Sequence, residues 1–419
     1  MKLYGVSPVK FNASNWYRTL LPWRTAQRMK IADPIIDQMD IKIENELERR
    51  TAATMYADII QHYQSYSEGF SYSKDMARKF PSYWETEDKW NVGPSFIFDT
   101  DDDLFRVEPL NPAFKFLGQM VNDRMLEPGE GVKILGEDGQ FKVLFEDKKN
   151  GFDIAENVKR LGGIRRNLQA ADLVTCTTPG SAAYVKREAP NADIHIFPNC
   201  IDFADWPKVR LAEDGVVRIL WQSSSCHFED IWPLRQVLGK IHRKYENVEF
   251  ILFGSPYEWL AKELVPERTT LLGWVPYDQY ILHMSMFGHD INLAPLHDSV
   301  FNQSRSGIRM YESAATWKPA ATLAERTGPY KAEIIEGETG LLFSGIEEFE
   351  TKLCALIEDA TLRKTIASNA KDWVRTHRSP YVHVPALIEA LQRVRDGHKA
   401  LAEPPPPLEN DIVTTEVTD

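Results

Sequence analysis

Apolar runs alternate with amphipathic segments along the second half of the chain. Val216–Trp221, Val248–Gly254 and Asp290–Leu296 are short apolar runs with the length of buried strands. Between the last two, the stretch Tyr277–Phe287 is predicted to be a helix. Strands that alternate with helices in this way predict a parallel, doubly wound sheet with right-handed crossovers.

The first half of the chain has a similar but less regular pattern. Lys2–Val6, Ser95–Phe98 and Ala171–Thr177 are apolar runs that we predict to be strands, and Ile154–Ala170 is predicted to be a helix. The predicted fold class is therefore α/β.

Three further segments interrupt this alternation. Val132–Leu135 and Phe141–Phe145 are separated by a polar Glu-Asp-Gly-Gln sequence and predict a β-hairpin that projects from the sheet. Residues 113–128 and Ile41–Tyr63 are predicted to be helical. The hairpin would be an addition to the doubly wound pattern.

Composition limits the class of protein. The chain has 419 residues, of which 43% are hydrophobic and 26% are charged, enough for two domains of roughly 150–200 residues each. No apolar run reaches the roughly 18 residues of a transmembrane helix, and the first residues lack the apolar core of a signal peptide. The formal net charge of −12 argues mildly against a nucleic-acid-binding protein.

Cysteine spacing points to a reducing compartment. The four cysteines lie far apart and form no C-x-x-C pair for zinc or redox chemistry, so we expect thiols in a cytoplasmic protein. They are Cys176, Cys200, Cys226 and Cys354.

A polar segment follows the last apolar run described above. Arg305 and Arg309 are four residues apart and Glu312 follows three later, so on a helix these side chains share one side. Ser304 or Ser306 is predicted to cap that helix, whose N-terminus favours anions. Two cations suit a diphosphate and the carboxylate suits ribose hydroxyls, which indicates a nucleotide-sugar site. The alternative is an amphipathic surface helix with solvated arginines.

A second candidate phosphate loop follows the strand that ends at Trp221. Ser223 and Ser224 are small residues that allow the backbone to approach a phosphate, and a helix is predicted to follow them. His227 and Asp230 come next. A structural or capping role for His227 is the more common alternative to a role in binding.

Four aspartates occur within Asp99–Asp103, directly after a predicted strand. Ligands of open α/β sheets bind beyond the carboxyl ends of strands. The carboxylates are candidates for binding acceptor hydroxyls, for acting as a base, or for holding a hard cation such as Mg²⁺. Alternatively, they cap the next helix and pair with arginines, since their mutual repulsion requires a cationic partner or a raised pKa.

The segment Asp290-Ile-Asn-Leu-Ala-Pro-Leu296, followed by Phe301-Asn-x-x-Arg-Ser-x-x-Arg-x-x-Glu312, resembles the donor site of retaining GT-B glycosyltransferases. In that family a basic residue here holds the donor diphosphate, and the glutamate at the position of Glu312 holds the ribose. Many members carry another glutamate eight residues earlier, where this chain has Ser304. The usual Gly-Ile-Pro is replaced by Trp317-Lys-Pro319.

The resemblance covers residues 170–345 and implies a GT-B fold of two Rossmann-like, doubly wound domains facing a cleft. It implies an acceptor domain and a donor domain, joined by a last helix that crosses back to the acceptor domain. The predicted boundaries are 1–203 with a hairpin excursion near 130–150, 204–378, a crossing helix over 379–402, and a disordered acidic tail over 403–419.

The resemblance also implies a reaction. A sugar, expected to come from a UDP-sugar, would pass to an acceptor hydroxyl with retention of configuration, without a covalent nucleophile, metal or cofactor. The candidate catalytic residues are Asp101, Asp102, Arg305 and Arg309. The candidate donor contacts are Ser223, Ser224, His227, Asn302, Ser304, Arg305, Ser306, Arg309 and Glu312. The candidate acceptor contacts are Arg18, Asp99, Asp102 and Asp103.

The acceptor stays open at this point. The Asp99–Asp103 sequence with Asn111-Pro112 after it resembles phage and bacterial GT-B relatives, which favours acceptor contact over a metal site. The acceptor is a glycan, a lipid-linked sugar, a protein or a hydroxymethylated base in DNA, and a base would have to be flipped out of the duplex. The basic clusters Arg18–Lys30 and Lys159–Arg166 would serve DNA in the host cytoplasm. A non-catalytic nucleotide- or glycan-binding module is the further alternative, because the first glutamate is missing.

Overall fold

A computed structural model describes residues 1–6, 13–35, 58–63, 85–86, 89–90, 94–135, 140–211, 213–255 and 257–402. The predicted acidic tail, the turn of the predicted hairpin and most of the predicted helix Ile41–Tyr63 lie outside these residues. All four cysteines lie within them, and their thiols are not paired in disulfides.

The described residues contain eighteen strands. In the first half they are β1 (Lys2–Val6), β2 (Asp33–Ile35), β3 (Ile59–Tyr63), β4 (Glu85–Thr86), β5 (Lys89–Trp90), β6 (Ser95–Thr100), β7 (Met120–Val121), β8 (Arg124–Met125), β9 (Gly131–Leu135), β10 (Phe141–Glu146), β11 (Leu173–Cys176) and β12 (Ile194–Ile196). In the second half they are β13 (Val217–Ser223), β14 (Val248–Gly254), β15 (Thr269–Gly273), β16 (Ile291–Ala294), β17 (Ala321–Glu325) and β18 (Leu341–Phe343).

Helices connect these strands. The first group is α1 (Ala13–Asn15), a π-helical turn (Trp16–Leu20), α2 (Leu21–Arg28), α3 (Phe114–Leu117), α4 (Ile154–Ala170) and α5 (Pro179–Glu188). The second group is α6 (Phe228–Ile231), α7 (Arg235–Lys244), α8 (Glu258–Ala261), α9 (Tyr277–Phe287), α10 (Val300–Gln303), α11 (Ile308–Ala315), α12 (Gly328–Glu333), α13 (Ile346–Glu358), α14 (Ala360–His377) and α15 (Pro380–Ala402). Short 3₁₀ turns cover Leu104–Arg106, Phe203–Asp205, Ser225–His227, Trp232–Leu234 and Pro266–Arg268.

The described residues form two six-stranded parallel sheets. The first has the order β12-β11-β6-β3-β1-β2 and the second has the order β15-β14-β13-β16-β17-β18. Within the second domain this is the 3-2-1-4-5-6 order of a doubly wound dinucleotide-binding fold. The strand order reverses between β13 and β16, and ligands of such sheets bind in the crevice at that point.

Several strands appear in the sequence as apolar runs because every residue in them is buried. Every residue of β6, β11, β16 and β18 is buried, because helices cover both faces of a parallel sheet. The helices have local start signals. Asp153 caps α4 by accepting from the Glu156 N–H, and Thr178 with Ser181 forms a capping box at α5.

The hairpin prediction is confirmed, whereas two helix predictions are wrong. Strands β9 and β10 pair antiparallel, with a bulge between Val143 and Phe145. Residues 113–128 form only the single turn α3, followed by the strand pair β7 and β8. Ile59–Tyr63 is strand β3 and lies between β1 and β6, so pairing within the sheet overrides its local helical pattern.

A shared core joins the two sheets. Tyr17 and Leu20 of the first half cluster with Met310 of the second half and with Val384 and Leu387 of α15. Helix α15 packs against α2. None of the described helices combines the length and hydrophobicity needed to cross a membrane.

Candidate active site

A cleft of about 450 Å³ lies at the carboxyl ends of strands from both sheets. Its second-domain wall begins at Gln222, at the end of β13, and includes Leu296, just after β16, so the cleft occupies the point where the strand order reverses. The first domain contributes Ala13, Ser14, Tyr17, Asp101, Asp102 and Asn199. The second contributes Gln222, Ser223, Ser224, His227, Phe253, Gly254, Trp274, Val275, Tyr277, Tyr280, Leu296, Arg305, Ser306, Ile308, Arg309, Glu312 and Tyr330.

The segment after β16 folds differently from the single capped helix that we predicted. Ser304 ends the short helix α10, and α11 starts at Ile308 behind Gly307, with no side chain capping it. The predictions that Ser304 or Ser306 caps the helix and that Arg305 shares a helical face with Arg309 are therefore wrong. Arg305 lies in the turn between the two helices, yet both arginines still line the cleft.

Arg309 is a buried cation with an unfilled hydrogen-bonding group. Its guanidinium lies 4.4 Å from the centre of the Trp221 ring, and Nη1 donates to the Pro295 carbonyl at 3.4 Å. Among the described residues, Nη2 has no hydrogen-bond partner. Because a buried unpaired N–H is costly, this group fits a site that an anion completes.

Glu312 is buried among hydroxyl groups from both domains. Tyr17 donates to Oε1 at 2.7 Å, Tyr280 donates to Oε2 at 2.7 Å, and Gln222 Nε2 donates to Oε2 at 3.3 Å. The Tyr277 hydroxyl in turn donates to Tyr17 at 2.6 Å. Burial raises the pKa of Glu312 to about 7, although the two tyrosine hydrogen bonds act in the opposite direction. This carboxyl group lines the cleft. It is able to accept hydrogen bonds from ligand hydroxyls when these replace the hydroxyls of Tyr17 and Tyr280.

The loop after β13 comes close to the end of β14. Gly254 has φ +109°, and a Cβ there would lie 2.2 Å from the Ser223 carbonyl oxygen, so only glycine fits this approach. The Ser223 hydroxyl lies 2.6 Å from the Tyr257 hydroxyl. Ser223 and Ser224 both line the cleft, where a phosphate loop would have to be.

His227 sits between Arg305 and Asp230. Its Nδ1 lies 2.5 Å from Asp230 Oδ2, and its Nε2 lies 2.9 Å from Arg305 Nη1. Asp230 Oδ1 also accepts hydrogen bonds from the backbone N–H of His297 at 3.0 Å, from His297 Nδ1 at 2.7 Å and from Asn302 Nδ2 at 3.1 Å. Burial acts to raise the pKa of Asp230, but the bonds from His227 and His297 outweigh it and hold that pKa well below its usual range.

One group of described side chains has the geometry to hold a metal ion. The ligand atoms of Glu108, Glu229 and His297 lie within 4.8 Å of one another. Both nitrogens of His297 are already hydrogen-bonded, Nδ1 to Asp230 and Nε2 to Glu108 at 3.1 Å. Burial acts to lower the pKa of His297, but these carboxylates raise it to about 10, and His297 forms an ion pair with Glu108 across the two domains.

The predicted aspartate cluster divides into two parts. Asp101 and Asp102 line the cleft, and Asp102 Oδ1 lies 3.4 Å from Arg305 Nε. Asp99 is buried and accepts both Nε and Nη2 of Arg18, at 2.9 and 2.8 Å. Asp103 is also buried and is paired with Arg187 at 2.9 Å.

Three of the predicted acceptor contacts thus lie in structural ion pairs. Arg18 further donates to the Phe197 carbonyl and to Asn199, and Asp103 also caps a 3₁₀ turn. None of Arg18, Asp99 and Asp103 is part of the cleft wall. Asp99 and Asp103 therefore follow the alternative interpretation, in which these aspartates pair with arginines and cap the next helical turn. Only Asp102 of that predicted set lines the cleft.

Two of the predicted donor contacts, Ser304 and Asn302, bind other protein groups and do not line the cleft. Ser304 is buried, its hydroxyl accepts from the Asp103 N–H at 3.0 Å, and its carbonyl accepts from Thr178 at 2.8 Å. Asn302 is buried against Asp230 and His297. Ser306 does line the cleft, where its hydroxyl accepts from Asn199 Nδ2 of the first domain at 2.9 Å.

Sequence reasoning missed several cleft residues. The residue types of Tyr17, Gln222, Trp274 and Tyr280 do not by themselves separate cleft from core. The available signal was position, because Gln222 lies at the end of β13 and Trp274 follows β15, at the carboxyl edge of the sheet. Trp274 is 67% exposed, which marks it as a surface available to a ligand.

Comparison of the sequence with known proteins identifies distant relatives. No family model matches the sequence. Trehalose synthase from Pyrococcus horikoshii is 23% identical over 230 residues, which cover 50% of this chain and 54% of that protein. Trehalose synthase from Thermococcus litoralis is 20% identical over 234 residues, covering 50% of this chain and 55% of that protein. The chain spans about half the length of the curated relatives it matches.

Solved structures match over nearly the whole chain. Sucrose-phosphate synthase from Thermosynechococcus elongatus aligns with a TM-score of 0.58 at 13% identity, covering 94% of this chain and 99% of that one. Anabaena HepE in complex with UDP-glucose aligns with a TM-score of 0.59 at 14% identity and the same coverage. The two doubly wound domains, the cleft between them and these structural neighbours together show that the chain has the GT-B fold predicted from its sequence.

Proposed function

We propose that this protein is a glycosyltransferase that moves a sugar from a nucleotide diphosphate sugar to an acceptor hydroxyl. The observation that carries the proposal is the cleft, where two arginines and one buried carboxylate from a single segment face two aspartates of the other domain. The trehalose synthase relatives and the GT-B neighbours support the same class of reaction.

The proposed donor is a UDP-sugar bound by the second domain. Arg305 and Arg309 would neutralise the diphosphate, with the loop at Ser223 and Ser224 close to its oxygens. Glu312 would accept the ribose hydroxyls. HepE, solved with UDP-glucose and with UDP, supports the choice of nucleotide.

The proposed reaction needs stabilisation of the leaving diphosphate and an accepting group for the proton of the attacking hydroxyl. Arg305 and Arg309 supply positive charge where negative charge develops. Asp101 and Asp102 face them from the first domain, where the acceptor would bind, and we propose that one of them orients the acceptor hydroxyl. We propose that the reaction retains configuration and needs no metal, because the two arginines take the place that a cation would have.

A glycan hydroxyl is the proposed acceptor in preference to a modified base in DNA. DNA binding would need a basic groove. Of the basic residues on which that alternative depends, Arg18 is buried in its pair with Asp99, and Arg165 pairs with Glu188 at 2.6 Å.

A thermal-shift panel tests the donor site. UDP-, GDP-, ADP- and CDP-sugars are added to the wild type, to Arg305→Ala and to Glu312→Ala, with Arg218→Ala as a control, since Arg218 pairs with Asp214 outside the cleft. A ligand at 100 times its Kd stabilises a protein by about 2.7 kcal/mol. We expect UDP-sugars to stabilise the wild type and the control but neither cleft variant.

Transfer is then measured as release of UDP with candidate acceptors, including glycans and hydroxymethylated DNA. Binding of a nucleotide sugar without turnover or hydrolysis would favour the non-catalytic module. A cooperatively melting protein that no nucleotide sugar stabilises would overturn the donor site.

A further inference from the structure

We propose that His227 is a positioning residue, held by Asp230, that fixes the guanidinium of Arg305 in the cleft. The functional meaning of this role rests on the proposed donor site, because Arg305 is its proposed diphosphate contact. The positioning itself is a property of the ligand-free protein, so it is testable without a substrate.

Arg305 needs such support because its backbone does not supply it. It lies in the turn between α10 and α11, where its N–H donates to the Asn302 carbonyl at 3.2 Å and no helix on either side fixes its side chain. Its guanidinium packs 5.4 Å from the centre of the Phe301 ring and lies 3.9 Å from Cys226 Sγ. A long side chain on a turn has many rotamers, and each additional contact reduces that freedom.

The geometry around His227 defines which nitrogen carries the proton. Arg305 Nη1 lies 2.9 Å from His227 Nε2 and 3.3 Å from His227 Nδ1, so the guanidinium contacts both ring nitrogens and Nε2 is the nearer one. His227 Nδ1 lies 2.5 Å from Asp230 Oδ2, and an ionised carboxylate only accepts, so Nδ1 must carry the hydrogen. Because a second ring proton would place another positive charge beside the guanidinium, the ring is the neutral Nδ1–H tautomer, with Nε2 as the acceptor for Arg305.

Asp230 is held firmly enough to impose that tautomer. It is 3% exposed, and Oδ1 accepts from the backbone and side chain of His297 and from Asn302. His297 also contacts Glu108 of the first domain. In the arrangement Asp230–His227–Arg305 a carboxylate orients an imidazole, as carboxylates do for the histidines of metal sites. Here the oriented imidazole positions a guanidinium.

Two replacements of His227 separate its two hydrogen bonds. An asparagine amide reaches about as far as Nδ1, so His227→Asn keeps a donor for Asp230 but leaves no acceptor for Arg305. A glutamine carbonyl reaches about as far as Nε2, so His227→Gln keeps an acceptor for Arg305. A purely structural histidine would not distinguish the two replacements in this direction.

The first measurement is the tautomer. Long-range ¹H–¹⁵N correlation spectra of the ¹⁵N-histidine-labelled protein, with His227 assigned from the spectrum of His227→Gln, report which ring nitrogen is protonated at pH 7. We expect the neutral Nδ1–H form. An Nε2–H tautomer or an imidazolium would overturn the proposal, whatever the protein binds.

The second measurement is calorimetric binding of UDP and of pyrophosphate, a probe that does not depend on the base. We expect His227→Asn to weaken binding about tenfold, the equivalent of one misplaced hydrogen bond, and His227→Gln to weaken it less. In the Arg305→Ala background, His227→Asn should have no further effect, because its action passes through Arg305. His377→Gln, an exposed histidine at the end of α14, is the control.

Equal losses in the asparagine and glutamine variants, or a full loss from His227→Asn in the absence of Arg305, would overturn the positioning role. Failure of the wild type to bind either probe would overturn the proposed donor site instead. The tautomer would then still decide whether His227 holds Arg305.

Discussion

The segment Phe301–Glu312 and the cluster Asp99–Asp103 have similar positions in their domains but are used differently. Each carries charged side chains at or after the carboxyl end of a buried strand. The first keeps Arg305, Arg309 and Glu312 at the cleft wall, whereas the second turns Asp99 and Asp103 into buried ion pairs and leaves only Asp101 and Asp102 at the wall. Charged side chains near the end of a strand therefore mark the region of a site, but they do not identify the residues of that site.

The difference comes from the available partners. Asp99 meets Arg18 from the first helical segment, and Asp103 meets Arg187 from α5, so both carboxylates are neutralised within their own domain. Arg305 has partners from the cleft itself, His227 and Asp102, and Arg309 keeps one guanidinium nitrogen without a hydrogen-bond partner among the described residues. An incomplete set of hydrogen bonds distinguishes the binding wall from the structural cluster.

The sharpest test of this contrast is Asp99→Ala. It leaves Arg18, whose side chain is 0% exposed, as a buried unpaired cation, and breaking such a pair typically costs about 3–5 kcal/mol. Denaturant unfolding should show that loss, whereas Asp102→Ala, at a side chain 28% exposed, should cost less than about 1 kcal/mol. Similar losses in both variants would remove the distinction between the two parts of the cluster.

Glu312 should make stability depend on pH. Its pKa rises from 4.5 to about 7 on folding because it is buried, so the folded state binds the proton more tightly than the unfolded state. Stability should therefore fall as pH rises from about 4.5 to 7, by at most about 3 kcal/mol, and stay lower above that range. Glu312→Gln should remove this part of the pH dependence in denaturant titrations. A variant that keeps the full wild-type pH dependence would show that Glu312 ionises normally.

Gly180→Ala tests how closely the two domains meet. A Cβ at Gly180 would lie 2.0 Å from the Gln303 carbonyl oxygen, so the second-domain segment would have to move away from α5. Overpacking of this kind costs about 1–3 kcal/mol, and it should also weaken nucleotide binding by displacing Arg305. Gly162→Ala in α4 is the matched control, because its nearest contact is a flexible arginine end at 3.7 Å. Equal melting temperatures for the two variants would contradict this close contact.

The smallest expected effect is at the surface of the first domain. Arg165 pairs with Glu188 while 46% exposed, so Arg165→Ala should change stability by less than about 1 kcal/mol and leave nucleotide affinity unchanged. If the wild type instead binds duplex DNA in a salt-dependent way and Arg165→Ala weakens that binding, the result would favour DNA as the acceptor.

Local sequence was sufficient for much of the secondary structure. The predicted bounds of α4 and α9 agree with the structure, because periodicity and caps such as Asp153 act within one or two turns. The same reasoning failed for Ile59–Tyr63, whose place between two strands is set by pairing with residues far along the chain. The single helix predicted over residues 304–312 failed because a turn at Arg305 divides it.

Apolar patterns and motifs within short stretches were enough to predict the α/β class, the GT-B resemblance and the segments that surround the cleft. Which charged side chains reach the cleft depends instead on contacts between distant parts of the chain. Arg18 meets Asp99 across 81 positions, and Tyr17 meets Glu312 across 295. A side chain's residue type is local, but its burial and its partner are set by segments that only folding brings together, and those two properties separate a structural charge from a functional one.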